Sequence, residues 1–227
     1  MRLGILTFLT IFISFYSFSQ KKDLTIVFNP TFNNERIVLD QTYRYNNDTL
    51  EFSTLKFYIS VINFYYNDSL VYSLKKEHHL VDISDKNSLI ITEQINSTLP
   101  YNYITFNLGI DSTTNSSGAF GGDLDPTNGM YWTWQSGYIN FKLEGKSTRC
   151  KSRNNVFQFH LGGYQHPFSS IQKIKLPVKN EHIIHINVVL DKFIDATDLN
   201  NISEVMSPSQ QSVNLSNICS TIFEISK

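Results

Sequence analysis

Several residue patterns that mark common protein classes are scarce in this chain. Its 227 residues include only two cysteines, Cys150 and Cys219, far from the framework of paired cysteines that staples small secreted domains. The net charge is −1 at pH 7, so the chain lacks the basic field that attracts nucleic acid. Beyond the first twenty residues, no apolar run approaches the roughly 18 residues of a membrane-spanning helix. We therefore expect neither nucleic-acid binding nor a membrane span. The sequence leaves open whether the two cysteines pair.

Sequence motifs of catalysis are missing as well. The chain contains no G-x-S-x-G nucleophile elbow, and its cysteines stand in no local catalytic signature. No glycine-rich loop of the kind that cradles phosphate leads into a helix. A Ser-His-Asp triad assembled from distant residues is the remaining enzymatic alternative, and no spacing supports it. We therefore predict a binding protein, not an enzyme.

The N-terminal segment has the pattern of a secretory signal peptide. Arg2 precedes an apolar run over residues 5–16, and Ser17 and Ser19 supply the small-x-small spacing of a cleavage site. The run is too short for a membrane-spanning helix. We predict a signal peptide over residues 1–19 that is cleaved near residue 19, and a mature protein that is periplasmic or secreted.

Short runs rich in β-branched and aromatic residues, separated by Asn, Asp, Ser, Gly and Pro, dominate residues 20–227. In the run over residues 55–66, strict alternation places apolar residues on both faces, which is typical of a central strand covered on both sides. The two sets are Phe57, Ile59 and Val61, and Tyr58, Ile62 and Phe64. We predict a single all-β domain, an antiparallel β-sandwich of immunoglobulin-like two-sheet architecture with long loops.

One helical pattern stands out near the C-terminus. After Pro208, apolar residues recur at i, i+3, i+4, i+7 and i+8, which is the spacing of one helix face. These residues are Leu215, Ile218, Cys219, Ile222 and Phe223. We predict a short C-terminal helix that closes the sandwich.

The longest turn-rich stretch, residues 111–129, contains two aspartates that stand two apart, Asp123 and Asp125. Alternating carboxylates suit calcium, but no Glu closes the stretch at the distance that an EF-hand loop requires. The alternative is a turn in which Asp125 and Pro126 set the bend and Gly129, after an Asn, supplies a positive φ. The turn chemistry favours this second interpretation.

The same stretch leads directly into the two tryptophans of the chain, Trp132 and Trp134. If the segment is extended, both indoles lie on one strand face. Large rings of this kind most often belong to the core of a sandwich. The residues alone therefore indicate core packing, and a site whose chemistry needs an indole is the alternative.

Among the six histidines, His160 is the most informative. It stands in the alternating run VFQFHL, on the face opposite to Phe157, Phe159 and Leu161, just before two glycines. A single histidine in such a strand is more often a hydrogen-bonded core residue than a metal ligand. The residues alone leave both interpretations open.

Two stretches together carry a family resemblance. LDPTNGMYWTWQSGYINFKLEG (residues 124–145) and VFQFHLGG (residues 156–163) resemble segments of the MbnP-like, MopE-related family of copper-binding proteins. Further similar segments are FSTLKFYISVINF, HHLVDISDKNSL and ITFNLGIDSTTNSSG, so the resemblance covers most of residues 24–189. It implies an exported β-sandwich that holds copper through histidine imidazoles and a tryptophan oxidised to kynurenine. It also implies a partner that performs the oxidation, a dihaem cytochrome c peroxidase-like protein of the MbnH type.

On this chain the resemblance assigns the metal ligands residue by residue. The tryptophan motif falls on Trp132 and Trp134, and the F-H-L-G string falls on His160. In the known example of the family a histidine lies close in sequence to the modified tryptophan. The segment YWTWQSGY contains none, so the other imidazole has to come from another strand. We expect His79 or His185 in that role.

The resemblance also gives two glycines a structural role. Gly129 and Gly137 would shape the loop and the strand that carry the indoles. With the ligands above, this predicts a protein for copper acquisition, storage or delivery. The alternative is an exported glycan-binding or adhesive sandwich without metal. The exposure of Trp132 and Trp134 distinguishes the two, because sugar binding needs indoles on a concave surface and a metal site needs them near imidazoles.

Overall fold

The computed structural model describes residues 21–96, 100–135 and 137–226, and the predicted signal peptide over residues 1–19 lies outside them. Within these ranges no helix is long and apolar enough to cross a membrane. The helices are α1 (Ser112–Ser116), α2 (Leu190–Ala196) and α3 (Gln210–Cys219). The strands are β1 (Lys21–Phe32), β2 (Glu35–Arg36), β3 (Thr42–Tyr45), β4 (Asp48–Tyr66), β5 (Ser69–Ser73), β6 (His78–Asp82), β7 (Ile90–Asn96), β8 (Tyr103–Leu108), β9 (Tyr131–Trp132), β10 (Gly137–Ser147), β11 (Val156–Gly162), β12 (Gln172–Pro177), β13 (Ile183–Val189), β14 (Glu204–Val205) and β15 (Phe223–Ile225).

The strands form two sheets, as predicted for an all-β sandwich. The large sheet has the strand order β12-β8-β4-β10-β11-β14, with β3, β5 and β6 also paired to β4, and β9 to β10. The small sheet has the order β15-β13-β1-β2, with β7 also paired to β1. We call the face of the large sheet that is turned away from the small sheet the outer face.

The sandwich is not purely antiparallel, which corrects that part of the prediction. β1 and β13 pair in parallel, with Ile26 opposite Ile184, and β11 and β14 also pair in parallel. A tight hairpin forces neighbouring strands to run antiparallel, but strands far apart in sequence have no such constraint. The paired segments of β1 and β13 are separated by nearly the whole large sheet, so their relative direction cannot be read from turn signals.

A bulge in β4 changes which residues face the core. Val61 has φ 52° and is exposed, and the pairing of β4 with β8 shifts register between Ser60 and Asn63. An extra residue of this kind reverses the alternation beyond it. Strict alternation predicts Phe57 and Ile62 on opposite faces. The bulge instead brings both into the same buried core.

Aromatic rings join the two sheets. Phe28 of the small sheet meets Phe57 and Phe106 of the large sheet edge-on, with ring centroids 5.9 and 6.3 Å apart. Phe223 of β15 contacts the same two rings at 5.7 and 5.5 Å. Edge-to-face pairs of this kind add about 0.5–1.5 kcal/mol each beyond the area that they bury. This cluster therefore fixes how the small sheet sits on the large one.

The C-terminal helix α3 is present, as the apolar spacing predicts. Ser209 caps it by accepting a hydrogen bond from the amide of Ser212 at 3.1 Å. The helix ends at Cys219, so the predicted face does not continue to Phe223. Phe223 instead begins β15 and pairs with Val188 of β13. The apolar spacing fits a longer helix, but pairing with the sheet edge determines the conformation of its last residues.

The cysteines, both within the described residues, are buried free thiols. Cys150 follows β10 and Cys219 ends α3, and each belongs to the core between the sheets. Burial raises the pKa of both thiols. They therefore behave as small apolar core residues.

Candidate functional site

The stretch between β8 and β9 packs on the outer face of the large sheet. Two tyrosines of that face hold it: Tyr58 donates to the carbonyl of Asp123 at 2.9 Å, and Tyr138 donates to the carbonyl of Leu124 at 3.1 Å. These tyrosines belong to a second buried cluster, which we call the outer cluster. Its members are Tyr58, Ile110, Leu124, Met130, Trp132, Tyr138 and Ile139.

The two aspartates of this stretch bond different partners. The Asp125 carboxylate accepts from the amide and the hydroxyl of Thr127 at 2.8 and 2.7 Å, which caps a short turn that begins at Pro126. The turn ends at Gly129, whose φ of 71° favours glycine. The Asp123 carboxylate instead accepts from Lys76 and from the amide of Leu80. The carboxylates therefore serve a turn and a loop anchor, and do not form a calcium loop.

Trp132 is buried in the outer cluster and lies against β11. Its backbone pairs with Gly137 of β10, and its ring covers Gly162. A Cβ built on Gly162 would lie 2.7 Å from the Cζ3 atom of the Trp132 ring. The ring therefore occupies the space that a side chain at position 162 would need.

Trp134 has a different environment, although its ring centroid is only 6.0 Å from that of Trp132. The sequence predicts both indoles on one strand face if the segment is extended. β9 ends at Trp132, and residues 133–135 form a turn that leaves Trp134 66% exposed. Gly137 begins the next strand, where a Cβ would lie 3.4 Å from the Tyr164 ring. One indole is therefore a core residue and the other is a surface residue.

His160 lies on the same outer face as Trp132. Phe159 and Leu161 of β11 point into the core between the sheets, so His160 and Gly162 point outwards. The ring of Trp132 covers Gly162, two residues from His160 along the same strand. The fold thus brings one imidazole and one buried indole to neighbouring positions on one surface.

The imidazole of His160 is held by a carboxylate. Its Nε2 atom lies 2.6 Å from Oε1 of Glu144, and Thr54 donates to the second carboxylate oxygen at 2.9 Å. Burial lowers the pKa of His160 against the opposing effect of Glu144. Burial would raise the pKa of Glu144, but the hydrogen bonds from His160 and Thr54 outweigh it and hold that pKa below its usual value.

A neutral His160 beside an ionised Glu144 defines one tautomer. The carboxylate can only accept, so Nε2 carries the hydrogen and donates it. The lone pair of the ring is then on Nδ1, which makes no hydrogen bond to a described residue. A neutral imidazole that is oriented through its other nitrogen is the usual form of a histidine metal ligand.

The two other predicted histidines lie on other surfaces. His79 pairs with Ile59 of β4 and so faces the side of the small sheet, where its Nε2 atom lies 3.1 Å from the carbonyl of Lys76. Burial, and then the charge of Lys76, lower the pKa of His79 to about 4. His185 pairs with Val27 and is exposed on the small sheet. The structure therefore does not bring His79 or His185 together with His160, and the described residues contain no group of three His, Cys, Asp or Glu side chains that could hold a metal.

Sequence reasoning missed two residues of this region. Glu144 stands opposite Gln158 in the β10–β11 ladder, two residue pairs from the Lys142–His160 pair. No sequence signal marks it, because it reaches His160 only across that ladder. His166 lines a cavity together with Gln135, the residue that follows Trp134. The two glycines between His160 and His166 are a sequence signal for a loop after β11. That loop carries His166 to the same cavity as Gln135.

The chain is similar to a known protein family and to a solved structure. A model of the MbnP family matches residues 21–207. The structure of MbnP from Methylosinus trichosporium is similar, with a TM-score of 0.60 and 9% sequence identity over 84% of this chain and 83% of that chain. At this identity the structural likeness shows the fold alone. No curated protein sequence matches the chain. Because the family model covers most of the sequence, the chain belongs to the MbnP family.

Proposed function

We propose that this protein is exported and binds a copper ion on the outer face of the large sheet, beside Trp132 and His160. The observation that carries the proposal is the placement of the buried indole of Trp132 over Gly162, two residues from a neutral His160 that Glu144 orients. Copper is the cargo of such a protein, for acquisition, storage or delivery, and no turnover is involved. Imidazole nitrogen suits copper as a ligand.

The donor set fits copper only if a tryptophan is modified. An intact indole has an N–H donor and no lone pair to offer. Oxidation to kynurenine replaces it with an aromatic amine and a ketone, which can both act as ligands. We assign this modification to Trp132, because it lies on the face of His160, and give the exposed Trp134 as the alternative. His79 and His185 are not part of the proposed set, since each lies on another surface.

The proposal includes a route and a partner. The predicted signal peptide directs the chain out of the cytoplasm. A dihaem cytochrome c peroxidase-like protein would supply the oxidising equivalents for the tryptophan. The exposed indole of Trp134, 6.0 Å from that of Trp132, is the part of the pair that such a protein can reach directly.

Two matched histidine variants test the proposed ligand. His160→Ala removes the imidazole next to Trp132, and His185→Ala removes an exposed imidazole from the small sheet. Protein from the native host should lose copper in His160→Ala and keep it in His185→Ala, as measured by metal analysis of the purified chains. Copper retained in both variants would exclude His160 as a ligand. Copper retained in His160→Ala but lost in His185→Ala, with both variants folded, would move the site to the small sheet.

A further inference from the structure

A cavity of about 250 Å³ lies beside the exposed tryptophan, and nothing in the copper proposal uses it. It is lined by Gln135 from the turn after Trp134 and by the loop that follows β11. The side chains that give it its chemistry are Gln135, Tyr164, Gln165, His166 and Phe168. Glycine and proline complete the lining.

Buried hydrogen bonds close the loop that forms this cavity. The amide of Ser170 donates to the carbonyl of Gly163 at 3.0 Å, and the Ser170 hydroxyl accepts from Asn140 at 2.9 Å. The Ser212 hydroxyl of α3 holds the start of the loop: it accepts from the amide of Gly162 at 3.2 Å and donates to the carbonyl of Gly162 at 3.0 Å. The cavity therefore stands on a fixed base and does not need to form when a ligand arrives.

Among the residues that the structure describes, the lining includes no Asp, Glu, Lys or Arg. It differs in this from another cavity of the chain, which is lined by Lys76, Asp82, Asp85 and Asp123. Apart from the imidazole of His166, the described lining offers no ionisable group of the kind that pairs with a phosphate, a carboxylate or an ammonium group. A charged ligand would lose its hydration without compensation, so the lining favours a neutral one.

The neutral groups that are present complement hydroxyl groups. Each glutamine amide offers donors and an acceptor, and a ligand hydroxyl also both donates and accepts. Tyr164 and Phe168 add aromatic rings, whose negative faces suit the C–H faces of a sugar ring. The volume equals about eight times the roughly 30 Å³ that a water molecule occupies in the liquid, which is enough for one sugar ring.

We infer that this cavity binds a single unit of a neutral saccharide, with the ring against Phe168 and Tyr164 and its hydroxyls on Gln135 and Gln165. This function goes beyond copper binding and uses different side chains. Trp134 directly precedes Gln135 and is 66% exposed. We expect its fluorescence to respond when the cavity is occupied, because it directly precedes a lining residue and the other indole of the chain, that of Trp132, is buried.

The test is a glycan array followed by titration of the hits against tryptophan fluorescence. We expect binding of neutral glycans, and a dissociation constant about tenfold higher in Phe168→Ala and in Gln165→Ala. Phe120→Ala is the matched control, because it removes a ring of similar exposure that does not line the cavity. It should bind as the unchanged protein does.

Three results would overturn the inference: no neutral glycan bound, hits confined to sulfated or carboxylated glycans, or affinities unchanged in both cavity variants. His160→Ala separates this function from copper binding. It should leave saccharide affinity unchanged, so failure of one proposal does not decide the other.

Discussion

Replacing Gly162 with alanine probes the contact on which the site depends. A Cβ at this position would lie 2.6 Å from the carbonyl oxygen of Tyr138, and 2.7 and 2.9 Å from two atoms of the Trp132 ring. These separations are about 1 Å shorter than an ordinary contact between carbon atoms. The carbonyl belongs to β10, which pairs with β4 and β11 and cannot yield easily, so the indole has to move.

The size of the effect follows from the overlap. Inserting a methyl group into a packed site generally costs about 1–3 kcal/mol, and contact with strand backbone places Gly162→Ala near the upper end of that range. Gly121→Ala is the control, because its φ is −94° and no atom lies within 4 Å of its Cβ. We expect that variant to stay within about 0.5 kcal/mol of the unchanged protein.

Urea unfolding measures both variants. Gly162→Ala should lower the midpoint without changing the slope of the transition, and its native fluorescence should shift to the red as Trp132 meets water. Unchanged stability together with unchanged emission would refute the packing of Trp132 on Gly162. Trp132 would then no longer be placed next to His160, because that placement depends on the contact between the Trp132 ring and Gly162.

Three further predictions concern charged and titrating groups. Glu144→Gln should release the tautomer of His160, detectable by NMR of the ring nitrogens, and weaken copper binding about 10–100-fold. The pKa of His79 is about 4 in the folded chain and near 6.5 when unfolded, so the folded state binds fewer protons between these values. The free energy of unfolding should therefore fall by about 2 kcal/mol as the pH decreases from 6.5 to 4, and much less in His79→Gln. Asp48 is buried and bonds Ser147, Thr148 and Arg149; Asp48→Asn should cost about 3 kcal/mol in denaturant unfolding, because the Arg149 guanidinium loses its counter-ion.

Local pattern in the sequence was enough to predict the strands over residues 55–66 and 156–161 and helix α3. The alternation in VFQFHL placed His160 on the face opposite to Phe159, and the structure has it there. This works because strand parity is a local property that the backbone imposes on successive residues. The all-β class followed from the same signals summed along the chain.

Alternation did not predict which face of β4 the residues after the bulge at Val61 occupy. Val61 adopts φ 52°, a conformation that a β-branched residue rarely takes and that its sequence neighbours do not signal. The pairing of β4 with β6 and β8 on its two sides determines it. Within β4, the faces that alternation assigns to Ile62 and Phe64 are therefore reversed.

The relative placement of the predicted ligands was the least predictable part. His79 and His185 were expected to approach His160, but strand pairing places them on two other surfaces. Their distance from His160 depends on which strands are neighbours, which one sequence does not contain. Glu144 was overlooked for the same reason, since it meets His160 only across the β10–β11 ladder.

The exposure of the tryptophans also depends on a single local event. A strand that continued through Trp134 would have buried both indoles on one face. β9 ends at Trp132, and the turn that follows separates a core indole from a surface indole. This division gives one short segment both a buried indole on the face of His160 and an exposed indole next to Gln135 of the cavity lining.

The most direct test of copper binding is metal analysis and intact mass of the protein purified from its native host, with peptide mapping of residues 125–142. We predict about one copper ion per chain. We also predict a peptide in which Trp132 has lost one carbon and gained one oxygen, a mass increase of about 4 Da. Two unmodified tryptophans and no bound copper, even after addition of Cu(I) and Cu(II), would contradict the proposal and leave the sandwich without a metal.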